Sequence, residues 1–216
     1  VEYVGHPLVE VVDDFRFTNK KLEIENKGQD IIALLPGSRK QEILKKLPIM
    51  LEVSKYFPKY HFIVAKAPGL DESFYNELLL PYKNVSSVLN QTYSLLSASK
   101  AALVTSGTAT LETALFMVPE IICYKGNPIS YQIAKRLIKI KFIGLVNLIM
   151  DKEVVKELIQ NDLSIDNIKT ELTKLLDDTA KKKQLQKDYE TLKDILSKGG
   201  HASANAAKII YNFVKS

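Results

Sequence analysis

The sequence predicts an α/β domain, a doubly wound parallel sheet followed by a C-terminal helical tail. Three observations carry this. Short apolar, β-branched runs alternate with segments of helical periodicity. The runs are almost continuously apolar, as strands buried on both faces must be. After about residue 150 the strand signals stop and only helical patterns remain. The chain has 216 residues and a domain takes roughly 100–200, so one domain with an appendage fits.

The expected strands are Ile31–Leu35, Phe62–Ala65, Val85–Leu89, Ala101–Thr105 and Ile121–Tyr124. Val1–Val4 also reads as a strand, so the chain looks cut from something longer. Between the strands, Gln41–Phe57 is helical and should break near Pro48, which suits the first turn of a new helix. Asp71–Leu80, Gln91–Ser97 and Thr108–Met117 follow. Pro128–Ile140 is amphipathic, with Ile129, Ile133, Leu137 and Ile140 opposite Lys135 and Lys139. Val154–Gln160, Asp166–Leu176, Lys181–Ser197 and Ser203–Val214 all read as helices, with Ser164 and Ser203 as N-caps and Gly199-Gly200 between the last two. The division expected is a sheet domain over 1–180 and a helical tail over 181–216.

Composition narrows the function classes. Hydrophobic residues are 46% of the chain, enough for a sizeable core, and charge is moderate, which argues against disorder. One cysteine, Cys123, excludes an internal disulfide and fits a reducing compartment. No apolar run approaches the roughly 20 residues of a membrane span. The net charge is +5, and Lys125–Lys141 holds five basic residues and no acidic one, so this segment could account for the whole excess. Such a patch suits a phosphate, a nucleic acid or an anionic membrane, or is simply the solvated side of a helix. It is short and lacks an aromatic RNA-binding signature or a zinc motif, so no nucleic-acid partner is expected. His6, His61 and His201 are too scattered for a metal site, and none is expected.

In a doubly wound sheet, ligands sit beyond the carboxyl ends of the strands. Two turns stand out there. Leu34–Arg39 leaves the first strand and enters a helix. Gly37 permits a tight turn, Ser38 with Gln41 can form a capping box, and Arg39 offers a planar charged fork for phosphate. Thr105–Glu112 leaves a second strand. Ser106, Gly107 and Thr108 are small enough for a diphosphate to reach backbone N–H groups, and Glu112, about one turn into the helix, could accept from ribose hydroxyls. Either turn could equally be an ordinary capped helix start. Neither is a Walker loop or a Gly-x-Gly-x-x-Gly fingerprint.

Taken in series, Val4–Leu8, Leu35–Arg39 and Ser106–Glu112 resemble the lipid-A-disaccharide synthases. The likeness continues through Tyr124-Lys125, Pro128, Ala134–Leu137, Asn147-Leu148 and Val155–Gln160. It implies the Rossmann-like C-terminal lobe of a glycosyltransferase-B fold, the lobe that binds the UDP-sugar donor. The whole enzyme would transfer 2,3-diacylglucosamine from UDP to 2,3-diacylglucosamine 1-phosphate, giving the β-1,6 disaccharide and UDP, with no cofactor and no essential metal. Arg39, Ser38, Ser106, Gly107 and Thr108 would then hold the diphosphate and Glu112 the ribose. Asn147, Glu157, Gln160 and His6 would line the donor-sugar side of the cleft. Val146 and Lys156 stand where the family often has proline. The catalytic base and the lipid-acceptor contacts are expected in a first lobe, so this chain alone should bind donor without turnover. The resemblance further implies a cytoplasmic protein, peripheral at the inner membrane, and leaves a homodimer open. Competing readings are another UDP-sugar enzyme of this fold, such as the peptidoglycan N-acetylglucosaminyltransferase or a UDP-sugar 2-epimerase, and a noncatalytic module for nucleic acid or anionic surfaces.

Overall fold

The computed structural model describes residues 2–18, 23, 28–127 and 141–215. The amphipathic basic segment expected over 128–140 lies outside the described residues. Of the basic patch Lys125–Lys141, only Lys125 and Lys141 are described, and Lys141 sits 3.6 Å from Asp151.

The described elements run α1 (Pro7–Phe17), β1 (Asp30–Leu35), α2 (Lys40–Ser54), β2 (Tyr60–Lys66), α3 (Glu72–Leu79), β3 (Val85–Leu89), α4 (Thr92–Ala98), β4 (Ser99–Thr105), α5 (Thr108–Leu115) and β5 (Glu120–Tyr124). Then come α6 (Leu145–Met150), β6 (Lys156–Ile159), a 3-10 turn (Gln160–Asp162), α7 (Ile165–Asp177), α8 (Thr179–Ser197) and α9 (Ala202–Lys215). The sheet order is β3-β2-β1-β4-β5-β6, and every neighbour pair is parallel. This is the doubly wound order in which the chain reverses direction between β1 and β4, so a crevice opens beyond their carboxyl ends.

Burial explains the central strands. Ile31–Leu35, Phe62–Val64, Ala101–Val104 and Ile121–Cys123 are buried, as a sheet covered on both faces requires. Helix α2 buries Ile43, Leu47, Met50 and Leu51, a stripe at helical spacing, against this sheet. The Cys123 thiol is buried and pushed up to about 12 by desolvation, so it is no nucleophile at neutral pH.

Several expectations are corrected. Residues 2–6 form no strand. Helix α2 runs through Pro48 unbroken, because Leu44, whose carbonyl loses its partner there, is exposed to water. Val154–Gln160 is not a helix: Lys156–Ile159 pairs with β5 as a sixth, edge strand. Strands therefore continue past residue 150. Helix α9 starts at Ala202, so Ser203 lies inside it rather than capping it. Ser164 does cap α7, its hydroxyl accepting from the Asn167 N–H at 3.2 Å. His61 lies near the start of β2 and pairs with Ser86 across the β2–β3 seam at 2.7 Å.

The tail also divides differently from 1–180 and 181–216. Helix α8 starts at Thr179 and buries Leu185, Tyr189, Leu192 and Leu196 in the main core. Only α9 stands apart, burying Ala202 and exposing Ile210, Phe213 and Val214. At the junction, Tyr3 Oη donates to the Leu196 carbonyl at 3.0 Å and the His6 N–H donates to the same carbonyl at 3.1 Å. Gly5 and Gly199 cross there with positive φ, and a Cβ on Gly199 would stand 2.9 Å from the Gly5 nitrogen. Among the described residues no helix is long and apolar enough to cross a membrane.

Candidate functional site

The crevice between the carboxyl ends of β1 and β4 is a cleft of about 330 Å³. Gly37, Ser38 and Glu42 line it from the β1 side; Thr105, Ser106, Gly107, Thr108 and Glu112 line it from the β4 side. Ala65–Pro68, at the end of β2, and Thr92 close it laterally. The two turns singled out in the sequence thus face each other across one opening.

Each turn is shaped by glycine. Gly37 has φ +101°, and a Cβ there would sit 3.2 Å from Thr105 Cγ2, so the backbone crosses directly over the end of β4. Gly107, with φ +145°, is the residue before α5, leaving the first N–H groups of that helix toward the cleft without a side-chain cap. Gly37→Ala is expected to lower stability by about 1–3 kcal/mol, from left-handed strain and the Thr105 contact. A thermal melt checks this, and an unchanged midpoint would show that the turn is free to relax.

The capping expectations need correction. Helix α2 is capped by Arg39 without a side-chain bond, so Ser38 and Gln41 form no capping box. Ser38 is exposed and its hydroxyl stays available in the cleft. Ser106 does not cap α5; its Oγ donates to the Ile143 carbonyl at 3.0 Å. Arg39 is 83% exposed and bonds Glu42 Oε1 at 3.1 Å, so it stands on the rim while its partner lines the cleft. Glu112 accepts from Tyr93 Oη at 2.8 Å, which orients its carboxylate at the cleft wall. Burial, and then Glu112 itself, push the Tyr93 hydroxyl well above its ordinary pKa, so it stays a donor.

The four residues assigned to the donor-sugar side do not assemble around this cleft. Asn147 is fully buried. Its Nδ2 donates to the Val155 carbonyl and to Glu157 Oε1, both at 2.8 Å, and its Oδ1 accepts from the Val154 and Val155 N–H groups at 2.8 and 3.0 Å. Both donors and both acceptor sites of the amide are used, leaving none for a sugar. Glu157 accepts from the Ile143 and Gly144 N–H groups at 2.9 and 3.0 Å. These two residues form a bracket that holds the segment around Ile143, which in turn receives Ser106. Gln160 follows β6 in the left-handed region, with φ 54° and a buried Nε2 that has no partner among the described residues. His6 caps α1, its Nδ1 accepting from the Leu8 N–H at 3.3 Å.

One charged residue escaped sequence reasoning. Lys46 is 2% exposed, its Nζ donating to Thr105 Oγ1 and lying 3.6 Å from Glu42 Oε2. Burial lowers its pKa and Glu42 partly opposes this. The signal was present: position 46 falls in the buried stripe of Ile43, Leu47 and Met50. Among the described residues no cluster of His, Cys, Asp or Glu could hold a metal ion.

The sequence model described as "LpxB: Lipid-A-disaccharide synthetase" matches residues 1–212. The chain belongs to this family. A lipid-A-disaccharide synthase of Syntrophus aciditrophicus is 35% identical over 223 residues, covering 100% of this chain and 58% of the relative. One of Geobacter sulfurreducens is 35% identical, covering 93% and 54%. The chain therefore spans somewhat more than half the length of these synthases. Among solved structures, UDP-GlcNAc 2-epimerase from Neisseria meningitidis bound to UDP-GlcNAc superposes with a TM-score of 0.60 at 14% identity, over 99% of this chain and 55% of that one. The calicheamicin glycosyltransferase CalG4 superposes with a TM-score of 0.60 at 18% identity, over 88% and 44%. At such identity the likeness establishes the fold. It is the parallel α/β fold that glycosyltransferases carry, as expected for a lipid-A-disaccharide synthetase family member.

Proposed function

We propose that this chain is the donor-binding lobe of a lipid-A-disaccharide synthase and takes UDP-2,3-diacylglucosamine in the β1–β4 cleft. The observation that carries the reading is the pairing of two glycine-shaped turns, Gly37-Ser38 and Ser106–Thr108, across the topological switch point, with Glu112 on one wall. Backbone N–H groups at the start of α5 and the guanidinium of Arg39 suit the diphosphate. Glu112, held by Tyr93, suits the ribose hydroxyls. The relatives' names and the UDP-GlcNAc in the epimerase support this choice of ligand.

The lobe's chemical part is to hold the leaving UDP. Displacement at the sugar builds negative charge on the diphosphate, and prearranged donors lower that cost. The transfer to 2,3-diacylglucosamine 1-phosphate, and the base that takes the acceptor hydroxyl proton, are assigned to the assembled enzyme. So are metal independence, attachment to the cytoplasmic face of the inner membrane and any homodimer.

Calorimetric titration tests the reading. UDP should bind more tightly than GDP or AMP. Glu112→Ala should weaken UDP about 10- to 100-fold, the range of a hydrogen bond to a charged group. Equal affinity for the three nucleotides, or an unchanged Glu112→Ala, would refute it.

A further inference from the structure

We infer that Glu42 is a built-in stand-in for the donor's diphosphate, holding its place between the rim cation Arg39 and the buried cation Lys46 until the donor displaces it. The inference rests on the diphosphate reading of the cleft and goes beyond it by assigning the empty-site charge balance to one carboxylate.

The geometry is specific. Glu42 is the acidic residue on the β1 side of the cleft. One carboxylate oxygen takes Arg39 at 3.1 Å and the other faces Lys46 at 3.6 Å. A ligand diphosphate does the same thing with two separated oxygens. Lys46 sits beneath the turn, with 3% side-chain exposure, and the missing Cβ of Gly37 would stand 3.8 Å from its Nζ. Thr105 and Glu42, which line the cleft, hold the ammonium directly, and Gly37 sets no side chain over it. Burying that charge is unfavourable unless it is offset, and the chain offsets it with Thr105 and Glu42.

A diphosphate cannot settle between the turns while Glu42 keeps both cations, because like charges at such range repel in a partly dry site. Swinging Glu42 out frees Arg39, which is exposed and able to follow the ligand. Lys46 is buried and stays. The two cations therefore differ in role: Arg39 is a moving clamp, and Lys46 is a fixed charge under the floor. Glu42 sets how readily UDP leaves, since it competes for the same partners.

The test compares UDP, inorganic pyrophosphate and uridine on the wild-type chain, Glu42→Gln and Lys46→Met. Methionine matches the length and burial of the lysine without its charge, and melting curves confirm that each variant folds. Should Lys46→Met fail to fold, Lys46→Gln takes its place. Glu42→Gln should tighten UDP and pyrophosphate about 3- to 10-fold, and Lys46→Met should weaken both about 10-fold or more, while uridine is unmoved. A Glu42→Gln that weakens pyrophosphate would mean the carboxylate positions Lys46 instead, and overturns the inference. So does a Lys46→Met that binds both anions like wild type. Wild-type chain that binds pyrophosphate in this pattern but not UDP would sink the nucleotide reading and leave the stand-in intact. Wild type that binds neither sinks both.

Discussion

Asn147→Ala is expected to destabilise the fold by about 3–5 kcal/mol, the cost of stranding several buried polar groups at once. The amide makes four hydrogen bonds from a fully buried position. Alanine leaves the Val155 N–H and carbonyl without partners and removes a donor from Glu157. Glu157 in turn anchors Ile143 and Gly144, and Ile143 holds Ser106. UDP affinity should therefore fall along with stability, although Asn147 has no bond to spare for the nucleotide. Asn147→Asp separates the two effects. It keeps the acceptors and sets two carboxylates against each other at Glu157. Their shared proton raises the folded pKa, so this variant's stability is retained in acid and lost as pH rises above the ordinary carboxylate range. Urea melts of both variants at pH 5 and pH 8 check this. An Asn147→Ala midpoint within error of wild type would refute the bracket.

The second large effect has the opposite sign. Glu120→Met is expected to stabilise the chain at pH 8 by about 1–3 kcal/mol, the cost of burying a polar group without a partner. Glu120 opens β5 in the covered sheet, and both its carboxyl oxygens are buried without a hydrogen bond among the described residues. Desolvation holds its pKa well above the ordinary carboxylate value. The sign follows from proton binding. Above pH 4.5 the unfolded chain loses this proton while the folded one keeps it, so wild-type stability falls as pH rises toward the raised value. Methionine removes that slope. The gain should be large at pH 8 and shrink toward pH 4.5 in thermal melts. A variant that melts lower at both pH values would show that the carboxyl has a stabilising role.

The central fold was legible because four strands are buried runs, and nothing but a covered parallel sheet accommodates so many. Strand β6 was not, for a physical reason. It is an edge strand with only Leu158 buried, so the two-sided apolar signal is absent. Val154, Val155, Leu158 and Ile159 instead repeat at helical spacing. Pro48 misled in the same local way, since a proline inside a helix is tolerated where water can serve the freed carbonyl. In the site, both turns were legible from glycine and small residues at strand ends. Asn147 and Glu157 came from family resemblance, which marks residues without saying whether they hold ligand or loop. Lys46 and Glu120 were missed because charged residues inside buried stripes were read by type rather than by position.

The junction between Tyr3 and Leu196 has a consequence for synthesis. Its partners are 193 residues apart, so the segment before α1 cannot be fastened until α8 has been made. At about 5–20 residues per second the two partners are made roughly 10–40 s apart. Closing so long a loop comes late in folding, because its entropy is lost before the contact is gained. Helix α1 can meet α5 earlier, through Arg16 and the Leu115 carbonyl, but its entry is pinned only once α8 exists.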